Sequence, residues 1–372
     1  MYFIESEAHN LWLPTVVQLI LSFLVARFIY PGLIYLGHLK KLSVSPIGRS
    51  AHAKSTSILG GVGLFFTFFI AAIGAFLGYG NIDAPLVFLA LMCSLLVMFF
   101  LGLKDDIVGV SPLGKVLVQL TVARFFMFFS GDLINDFGTL FGLRLLPGGV
   151  SWALTLFVYV LGVNAYNLID GIDGLAGSIA ATVLFYFGVA FAGMGDYQWT
   201  FICFGAFGSI LGFLRFNMFG NRRIFMGDSG SMFIGFLLVA VALHYLNVPR
   251  PVDGSVLGKS ILLVLALFSY PLVDVLRIFI VRIKNGCSPF HADKNHLHHF
   301  MLRLGLNHKR STGVVVAYTI LLTLMVHTLD MVNVHVTLLL LVLVNMLIAL
   351  LPSIIRRKGD RIVVRIAGFN EA

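Results

Sequence analysis

The stretch LVFLALMCSLLVMFFLGL, residues 86–103, contains 18 consecutive residues without a charged side chain. A helix that crosses a bilayer needs about 20 predominantly apolar residues, so the stretch predicts a transmembrane helix. Its apolar residues are continuous, whereas a strand of a membrane barrel alternates apolar and polar residues. Helices and closed barrels are the structures that satisfy their backbone polar groups in lipid. The stretch therefore predicts an all-α, polytopic integral membrane bundle.

The composition of the 372-residue chain agrees, because 59% of its residues are hydrophobic and only 12% are charged. A soluble globular protein carries about 25% charged residues. The net charge of +9 does not indicate a nucleic-acid partner, since basic residues in a membrane protein are first explained by its orientation. Three scattered cysteines predict no disulfide framework, and an N-terminus without early Lys or Arg predicts no cleavable signal peptide.

The apolar runs predict eleven spans, roughly at residues 11–36, 58–77, 86–102, 116–130, 150–163, 176–194, 200–216, 231–245, 260–281, 314–327 and 334–352. With the N-terminus outside, the cytoplasmic segments hold nineteen Lys and Arg and the outside segments hold three. This excess predicts the orientation. We expect one membrane domain over 1–372, with a motif-bearing core at about 50–305. The basic tail, 353–372, is expected to rest on anionic lipid head groups.

Under this topology the polar motifs lie at the cytoplasmic ends of spans. The sequence NAYNLIDGIDG, residues 164–174, places Asn164, Asn167, Asp170 and Asp173 three residues apart. Side chains three and four apart are neighbours on a helix, so the spacing predicts one polar edge. We interpret this edge as a metal and phosphate site. The alternative is a capped helix end in a solvated loop.

Two further acidic motifs fall on the same side of the membrane. Asp105 and Asp106 follow the third span, either as a solvated helix end or as a base or metal partner. Asp228, in MGDSG at 226–230, suits a helix N-cap. It equally suits Mg²⁺, which takes one or two protein carboxylates together with substrate phosphates.

Basic residues accompany the acidic motifs. Lys54 precedes a Gly pair and Lys115 begins the fourth span, so both suit phosphate binding, although Lys115 also suits a snorkelling anchor. His296, His298 and His299 lie within DKNHLHH, with His291 and Asp293 nearby. Zinc fits these histidines poorly, because His298 and His299 point to different helix faces. A cationic, hydrogen-bonding site for a phosphate or carbonyl fits better.

The motifs DDIVG, NAYNLIDGIDGLAG, FMGDSGS and DKNHLHH, in this order, resemble the polyprenyl-phosphate N-acetylhexosamine-1-phosphate transferases. The resemblance covers about 50–305. It implies a cytosolic UDP-sugar, a C55-type polyprenyl phosphate such as undecaprenyl phosphate, Mg²⁺ with Mn²⁺ as the alternative ion, and release of UMP. The form DKNHLHH resembles the branch that starts O-antigen, enterobacterial common antigen or wall teichoic acid. The peptidoglycan branch has three consecutive histidines instead.

The resemblance also implies residue roles. Asn167 and Asp228 would bind Mg²⁺, while Asp105 and Asp106 would activate or orient the lipid phosphate. The remaining roles are substrate binding: phosphates by Lys54 and Lys115, the nucleotide side by Asn164, Asp170 and Asp173, and the sugar-phosphate side by His296, His298 and His299.

We therefore expect an enzyme that transfers a sugar-1-phosphate, with GlcNAc-1-phosphate the commonest in this branch, to undecaprenyl phosphate. The setting would be the cytoplasmic face of a bacterial plasma membrane, in cell-wall, lipopolysaccharide or O-antigen biosynthesis. A phospho-MurNAc-pentapeptide translocase and a secondary transporter for an anionic solute are the alternatives. The sequence leaves open the sugar, the polymer, a covalent aspartyl intermediate, and whether the enzyme is a homodimer.

Overall fold

Helices dominate the computed structural model, which describes residues 2–44, 56–79, 85–142, 145–219, 223–249, 254–284, 286, 296–329, 333–358 and 361–364. In order, the helices are α1 Tyr2–Leu39, α2 Gly60–Tyr79, α3 Pro85–Val108, α4 Pro112–Ser130, α5 Gly148–Leu168, α6 Leu175–Met194, α7 Tyr197–Asn217, α8 Gly227–Asn247, α9 Gly254–Leu267, α10 Ser269–Lys284, α11 Leu297–Arg303, α12 His308–Thr328 and α13 Val334–Ile354. The all-α class predicted from the sequence is thereby confirmed.

Every predicted span coincides with a helix or a helix pair. Among the described residues, nine helices are long and apolar enough to cross a membrane, and α2 is apolar over Gly60–Gly74. The span predicted at 260–281 is not one straight helix, because α9 and α10 meet at a bend of 68°. Pro271 lies in the first turn of α10, where its missing N–H costs no helical hydrogen bond. The membrane setting is therefore that of a multi-pass protein.

The chain divides into two compact units. Unit 1 comprises Met1–Asn135 with Leu146–Pro249, and unit 2 comprises Asp136–Leu145 with Arg250–Ala372.

Helix α8 is the centre of unit 1, and it is buried along nearly its whole length. It packs against α2, α3, α5 and α6. Small residues permit the close approach: a Cβ at Gly102 would collide with the backbone of Asp228, and one at Gly61 with the backbone of Gly230. Such glycines let helices in a membrane approach one another closely.

The segment before α8 fixes where that helix begins. The Phe225 N–H donates to the Ser57 carbonyl at 2.8 Å. Ser57 belongs to the short strand β2, Thr56–Ser57, which pairs with β1, Ser43–Val44. In return, the N–H groups of Gly60 and Gly61 donate to the carbonyls of Phe225 at 3.0 Å and Met226 at 2.8 Å. The first N–H groups of a helix have no partner within it, so this exchange caps α2.

The opposite end of α8 is fixed by an ionic cluster. His244 contacts Asp132 through Nδ1 at 3.1 Å and Asp196 through Nε2 at 2.9 Å. Its ring stacks on Trp199, with centroids 4.3 Å apart and planes 15° apart. Asp196 also accepts from the Trp199 N–H at 3.1 Å and so caps α7. The cluster therefore joins α8 to the segments that follow α4 and α6.

Unit 2 contains α9 to α13, a short 3-10 helix at Leu140–Gly142 and a hairpin. The hairpin strands, β3 at Ile355–Lys358 and β4 at Arg361–Val364, pair antiparallel. They belong to the basic tail, 353–372, whose Ile and Val residues favour strands. Whether this tail rests on lipid head groups stays a prediction, as do the single-domain organisation and the orientation in the membrane.

Candidate active site

Asp106 holds the first turn of α8. Helix α3 continues to Val108, so Asp105 and Asp106 lie in its last turn rather than beyond it. Asp106 Oδ1 accepts from the Asp228 N–H at 2.8 Å, and Oδ2 accepts from the Ser229 N–H at 3.0 Å. Unpaired N–H groups and the positive end of the helix dipole both favour a carboxylate there. Asp228 itself is not the N-cap residue of α8, which is Met226.

Gly227 makes this contact sterically feasible. Its φ is +70°, in the left-handed region, and a Cβ there would lie 2.8 Å from Asp106 Oδ2. Only glycine adopts such a conformation freely and leaves the carboxylate its place.

Lys115 bridges two carboxylates that come from different helices. It lies in the first turn of α4, which Ser111 caps by accepting from the Gly114 N–H at 3.2 Å. Its ammonium donates to Asp105 Oδ2 and, at 3.2 Å, to Asp228 Oδ2. Asp105 Oδ1 also accepts from the Val110 N–H at 2.7 Å. The last turn of α3 and the first turns of α4 and α8 thus meet at one cation.

Asn167 completes this group from the end of α5. Its Nδ2 donates to Asp228 Oδ1 at 2.8 Å and to Ser231 Oγ at 2.7 Å. Within the described residues no hydrogen bond engages its Oδ1, so this oxygen remains available to a ligand. The sequence did not single out Ser231, which lies one turn along α8 from Asp228. In the sequence it does not differ from other serines within a span.

The predicted polar edge of four residues is helical only in part. Helix α5 ends at Leu168, so Asn164 and Asn167 are helical, whereas Asp170 and Asp173 lie in the turns before α6. The prediction of one helix face was wrong for these two residues. The turn ends at Gly174, whose φ of +82° no helix permits.

Asn164 and Asp173 bind other parts of unit 1. Asn164 Nδ2 donates to Gln119 Oε1 at 2.7 Å and to the Val160 carbonyl at 2.7 Å, which ties α5 to α4. Buried Asp173 accepts from Arg223 at 2.7 Å, and Arg223 is about half exposed. Sequence reasoning missed Arg223, although it lies five residues before Asp228.

Asp170 lies in the field of the other acids. Burial raises the pKa of its carboxyl well above the usual range, and the charges of Asp228, Asp106 and Asp173 raise that pKa further. A backbone hydrogen bond from Gly227 opposes the rise. A bound cation or a proton would stabilise a carboxyl group in such surroundings.

The donor set fits Mg²⁺. Five carboxylates lie in this part of unit 1, and their charges are offset by Lys115 and Arg223, which leaves an excess of negative charge. Asn167 Oδ1 and the Asp228 carboxylate are hard oxygen ligands. Among the described residues, no group of three or more His, Cys, Asp or Glu has metal-binding geometry. Mg²⁺ typically takes one or two protein carboxylates and completes its shell with substrate phosphates and water.

The histidines form a separate cluster in unit 2. His296 Nδ1 contacts Asp274 Oδ2 at 2.7 Å, and the Leu297 N–H donates to Asp274 Oδ1 at 2.7 Å. The rings of His296 and His298 stack with centroids 5.4 Å apart, and His299 lies 4.4 Å from His298. Burial lowers the pKa of His298 to about 3, so that ring is neutral.

Sequence reasoning missed Asp274, which it counted within an apolar span. A carboxylate inside a predicted span is a signal that could have found it, because such groups are costly and mark function or pairing. Lys54, His291 and Asp293 lie outside the described residues. The positions of these three residues therefore stay predictions.

Comparison with known proteins identifies the family. The family model described as Glycosyl transferase family 4 matches residues 87–246, which run from α3 to α8 and include the acidic site. This part of the chain is therefore similar to that family. The family predicted from the four motifs is thereby confirmed, as is the prediction of a transferase enzyme.

Three relatives are 28–35% identical to this chain over 56–75% of its length. The undecaprenyl-phosphate alpha-N-acetylglucosaminyl 1-phosphate transferase of Escherichia coli K12 is 29% identical over 281 residues, 72% of this chain and 70% of its own. The protein of the same name in Yersinia pestis is 28% identical over 287 residues, 75% of this chain and 74% of its own. A decaprenyl-phosphate N-acetylglucosaminephosphotransferase of Mycobacterium leprae is 35% identical over 236 residues, 56% of each chain.

Proposed function

We propose that the enzyme transfers GlcNAc-1-phosphate from UDP-GlcNAc to undecaprenyl phosphate and releases UMP. The observation that carries the proposal is the meeting of Asp105, Lys115, Asn167 and Asp228 at adjoining ends of α3, α4, α5 and α8. Relatives of this family are named for the same transfer. The product would be the first lipid-linked intermediate of a cell-envelope polysaccharide, made at the cytoplasmic face of a bacterial plasma membrane.

An apolar groove supports a lipid acceptor. It lies between α3 and α4, has a volume of about 440 Å³ and is lined by Cys93, Ser94, Val97, Leu117, Val118, Thr121, Val122 and Phe125. Val118, in the lining of the groove, lies three residues after Lys115 on α4 and therefore on the same helix face. We expect the polyprenyl chain to lie in the groove while its phosphate meets Lys115. A phosphate would replace one of the two carboxylates that Lys115 now contacts.

The reaction is a phosphoryl transfer in one step. An oxygen of the lipid phosphate forms a bond to the β-phosphorus of UDP-GlcNAc. The bond from that phosphorus to the bridging oxygen breaks, and UMP leaves with the electron pair. The lipid phosphate has a second pKa of about 6 and is therefore mostly a dianion at neutral pH. Asp105 needs only to exclude or accept a residual proton and to orient Lys115.

The protein's contribution is mainly positioning. Asn167 and Asp228 would hold Mg²⁺, which would supply charge neutralisation at the diphosphate. Both oxygens of Asp106 already accept backbone hydrogen bonds, and both oxygens of Asp105 are engaged by Val110 and Lys115. These contacts support direct attack by the lipid rather than a covalent aspartyl intermediate.

The test is an assay of the purified protein, reconstituted into sealed vesicles, with UDP-[¹⁴C]GlcNAc and undecaprenyl phosphate. We expect lipid-extractable label and an equal amount of UMP. Water-soluble label held inside sealed vesicles would instead establish a transporter. A panel of UDP-sugars, with UDP-GalNAc and the UDP-MurNAc-pentapeptide included, identifies the donor.

A further inference from the structure

Arg124 is a cation within the membrane-spanning helix α4, and its side chain is exposed. Among the described residues, no hydrogen bond or ion pair engages its guanidinium group. Asp132, the nearest acidic residue along the chain, contacts His244 instead. A charged side chain within a bilayer is costly, and it marks a functional site unless a partner explains it. Because Arg124 is exposed, we looked for its partner among the surrounding lipids.

Arg124 lines an apolar groove between α4 and α5. The groove has a volume of about 690 Å³ and is lined by Thr121, Arg124, Phe125, Phe128, Trp152 and Leu156. Ligand pockets typically have volumes of about 300–1,000 Å³. The lining contains no acidic side chain, and the hydroxyl of Thr121 already donates to the Leu117 carbonyl at 2.9 Å. The groove therefore offers a single positive charge among apolar surfaces, which suits an anionic amphiphile.

The groove lies towards the end of unit 1 that is opposite to the acidic site. Arg124 is about 13.5 Å further along α4 than Lys115, at ~1.5 Å for each of nine residues, and six residues before the helix ends at Ser130. Trp152 is the fifth residue of α5, whose other end carries Asn167. Tryptophan is enriched at the membrane interface, and long basic side chains extend towards it. Both side chains therefore reach the level of the lipid head groups in that leaflet.

Arg124 and Trp152 provide the donors that a phosphate needs. A guanidinium group binds two phosphate oxygens at once through parallel hydrogen bonds. The indole N–H of Trp152 makes no hydrogen bond within the described residues, so it is a second donor. Phe125 and Phe128 are 42% and 74% exposed and present apolar surface beside these donors. The arrangement matches a phosphate group carried on an apolar chain.

We propose that this groove binds an anionic phospholipid, such as phosphatidylglycerol, in the leaflet opposite to the acidic site. Its phosphate contacts Arg124 and Trp152, and an acyl chain lies against the aromatic side chains of α4. A zwitterionic lipid fits less well, because its ammonium group meets no carboxylate in the lining. The inference does not depend on the proposed function.

The acceptor of the proposed reaction is also a phosphate on an apolar chain, but it does not fit this groove. Its phosphate has to reach Lys115, and a phosphate held by Arg124 is about nine residues of helix away from that ammonium group. Thr121 and Phe125 line both this groove and the groove between α3 and α4. The phospholipid and the polyprenyl chain would therefore lie side by side.

The test is the quenching of Trp152 fluorescence by brominated lipids in reconstituted vesicles. The vesicles contain phosphatidylglycerol and phosphatidylcholine, and only one of the two lipids carries brominated acyl chains. The difference between the parent protein and Trp152→Phe isolates Trp152 from the other two tryptophans. We expect brominated phosphatidylglycerol to quench at an about fivefold lower mole fraction, the factor that one basic residue near the membrane surface contributes. Equal quenching by the two lipids would overturn the proposal.

Arg27 provides the matched control. It is likewise an exposed arginine within a span, but it lies on α1 and does not line this groove. Arg124→Gln should abolish the preference for phosphatidylglycerol, because the groove then carries no charge, whereas Arg27→Gln should retain it. Loss of the preference in both variants would indicate a general attraction by net charge and would contradict a specific site.

Two further results would assign the groove to another occupant and so overturn the proposal. If an equal mole fraction of undecaprenyl phosphate removes the quenching by brominated phosphatidylglycerol, the groove belongs to the acceptor. If neither lipid quenches Trp152 and the protein is a dimer in light scattering, a second copy of the chain covers the groove. Native mass spectrometry provides an independent measure: the parent protein should retain one phosphatidylglycerol more than Arg124→Gln, and equal numbers would contradict the site.

Discussion

The side chain of Asp106 holds the backbone of Asp228, with Oδ1 2.8 Å from the Asp228 nitrogen. The two residues lie 122 positions apart in the chain. Asp106 therefore fixes the position of Asp228, because both oxygens of the Asp106 carboxylate accept hydrogen bonds from backbone N–H groups at the start of α8. Adjacent acids in the sequence have different tasks, since Asp105 contacts Lys115 while Asp106 builds the start of α8.

The variant Asp106→Asn should lose both stability and turnover. One of its side-chain atoms becomes an NH₂ group that faces a backbone N–H, so a buried donor is left unsatisfied at a cost of about 1–3 kcal/mol. Thermal unfolding in detergent and turnover measure the two effects. Asp136→Asn, which alters a single contact to Gly138 in a turn, should change neither. An inactive Asp106→Asn protein with unaltered stability would show that Asp106 serves the chemistry instead.

The variant Asp228→Ala should abolish turnover that depends on a divalent cation and leave the protein folded. Folding is retained because Asp106 binds the backbone of residue 228, not its side chain. Turnover is measured against Mg²⁺ and Mn²⁺ after chelation. Ser231→Ala leaves the contact between Asn167 and Asp228 intact, so the loss of one hydrogen bond should slow turnover only ~2–10-fold. Near-normal rates for Asp228→Ala would exclude this residue as a metal ligand.

Neutralising Lys115 should weaken the lipid acceptor most. Lys115→Gln removes the cation that Asp105 and Asp228 share, and with it the expected phosphate contact. We expect KM for undecaprenyl phosphate to rise by about tenfold or more, since charge-assisted hydrogen bonds contribute about 1.5–3 kcal/mol. Lys104 is exposed in the last turn of α3, next to Asp105, so Lys104→Gln is the control for net charge. Equal effects of the two variants would contradict a specific role.

His298 should make the stability of the protein depend on pH. Its pKa is about 3 in the folded protein and about 6.5 when unfolded, so between these values the unfolded chain binds the extra proton. The free energy of unfolding is therefore unaffected by His298 above pH ~6.5. It falls as the pH falls below that value, by about 2 kcal/mol at pH ~5. Melting temperatures between pH ~7 and ~5 should fall less steeply in His298→Gln. Parallel curves would show that the buried ring is already protonated.

The sequence predicted the features that depend on local composition. Long apolar runs such as 86–103 specify spans whatever they pack against, so each run became a helix or, at 260–281, a bent helix pair. The acidic motifs were also recognised, because carboxylates are conspicuous where they follow or precede long apolar runs.

The missed residues owe their roles to distant partners. Ser231 matters because Asn167 lies against it, 64 positions earlier, and Asp274 matters because His296 lies 22 positions later. No local pattern distinguishes that serine from others in a span, whereas the aspartate could have been found as a carboxylate within a predicted apolar span. The polar edge at 164–173 failed as a helix because Gly174 requires a turn, and periodicity alone does not reveal where a helix stops.

Helix α8 is attached at both ends, by Asp106 at its beginning and by the pair Asp132 and Asp196 at its end. A helix held at both ends has little freedom to tilt or to shift along its axis. The carboxylate of Asp228 therefore occupies its place before any substrate arrives, so the enzyme spends little binding energy on assembling this part of the site. The variant His244→Ala would loosen the C-terminal end of α8. The position of the Asp228 carboxylate would then be less well defined, although it lies sixteen residues away, about 24 Å at ~1.5 Å per residue.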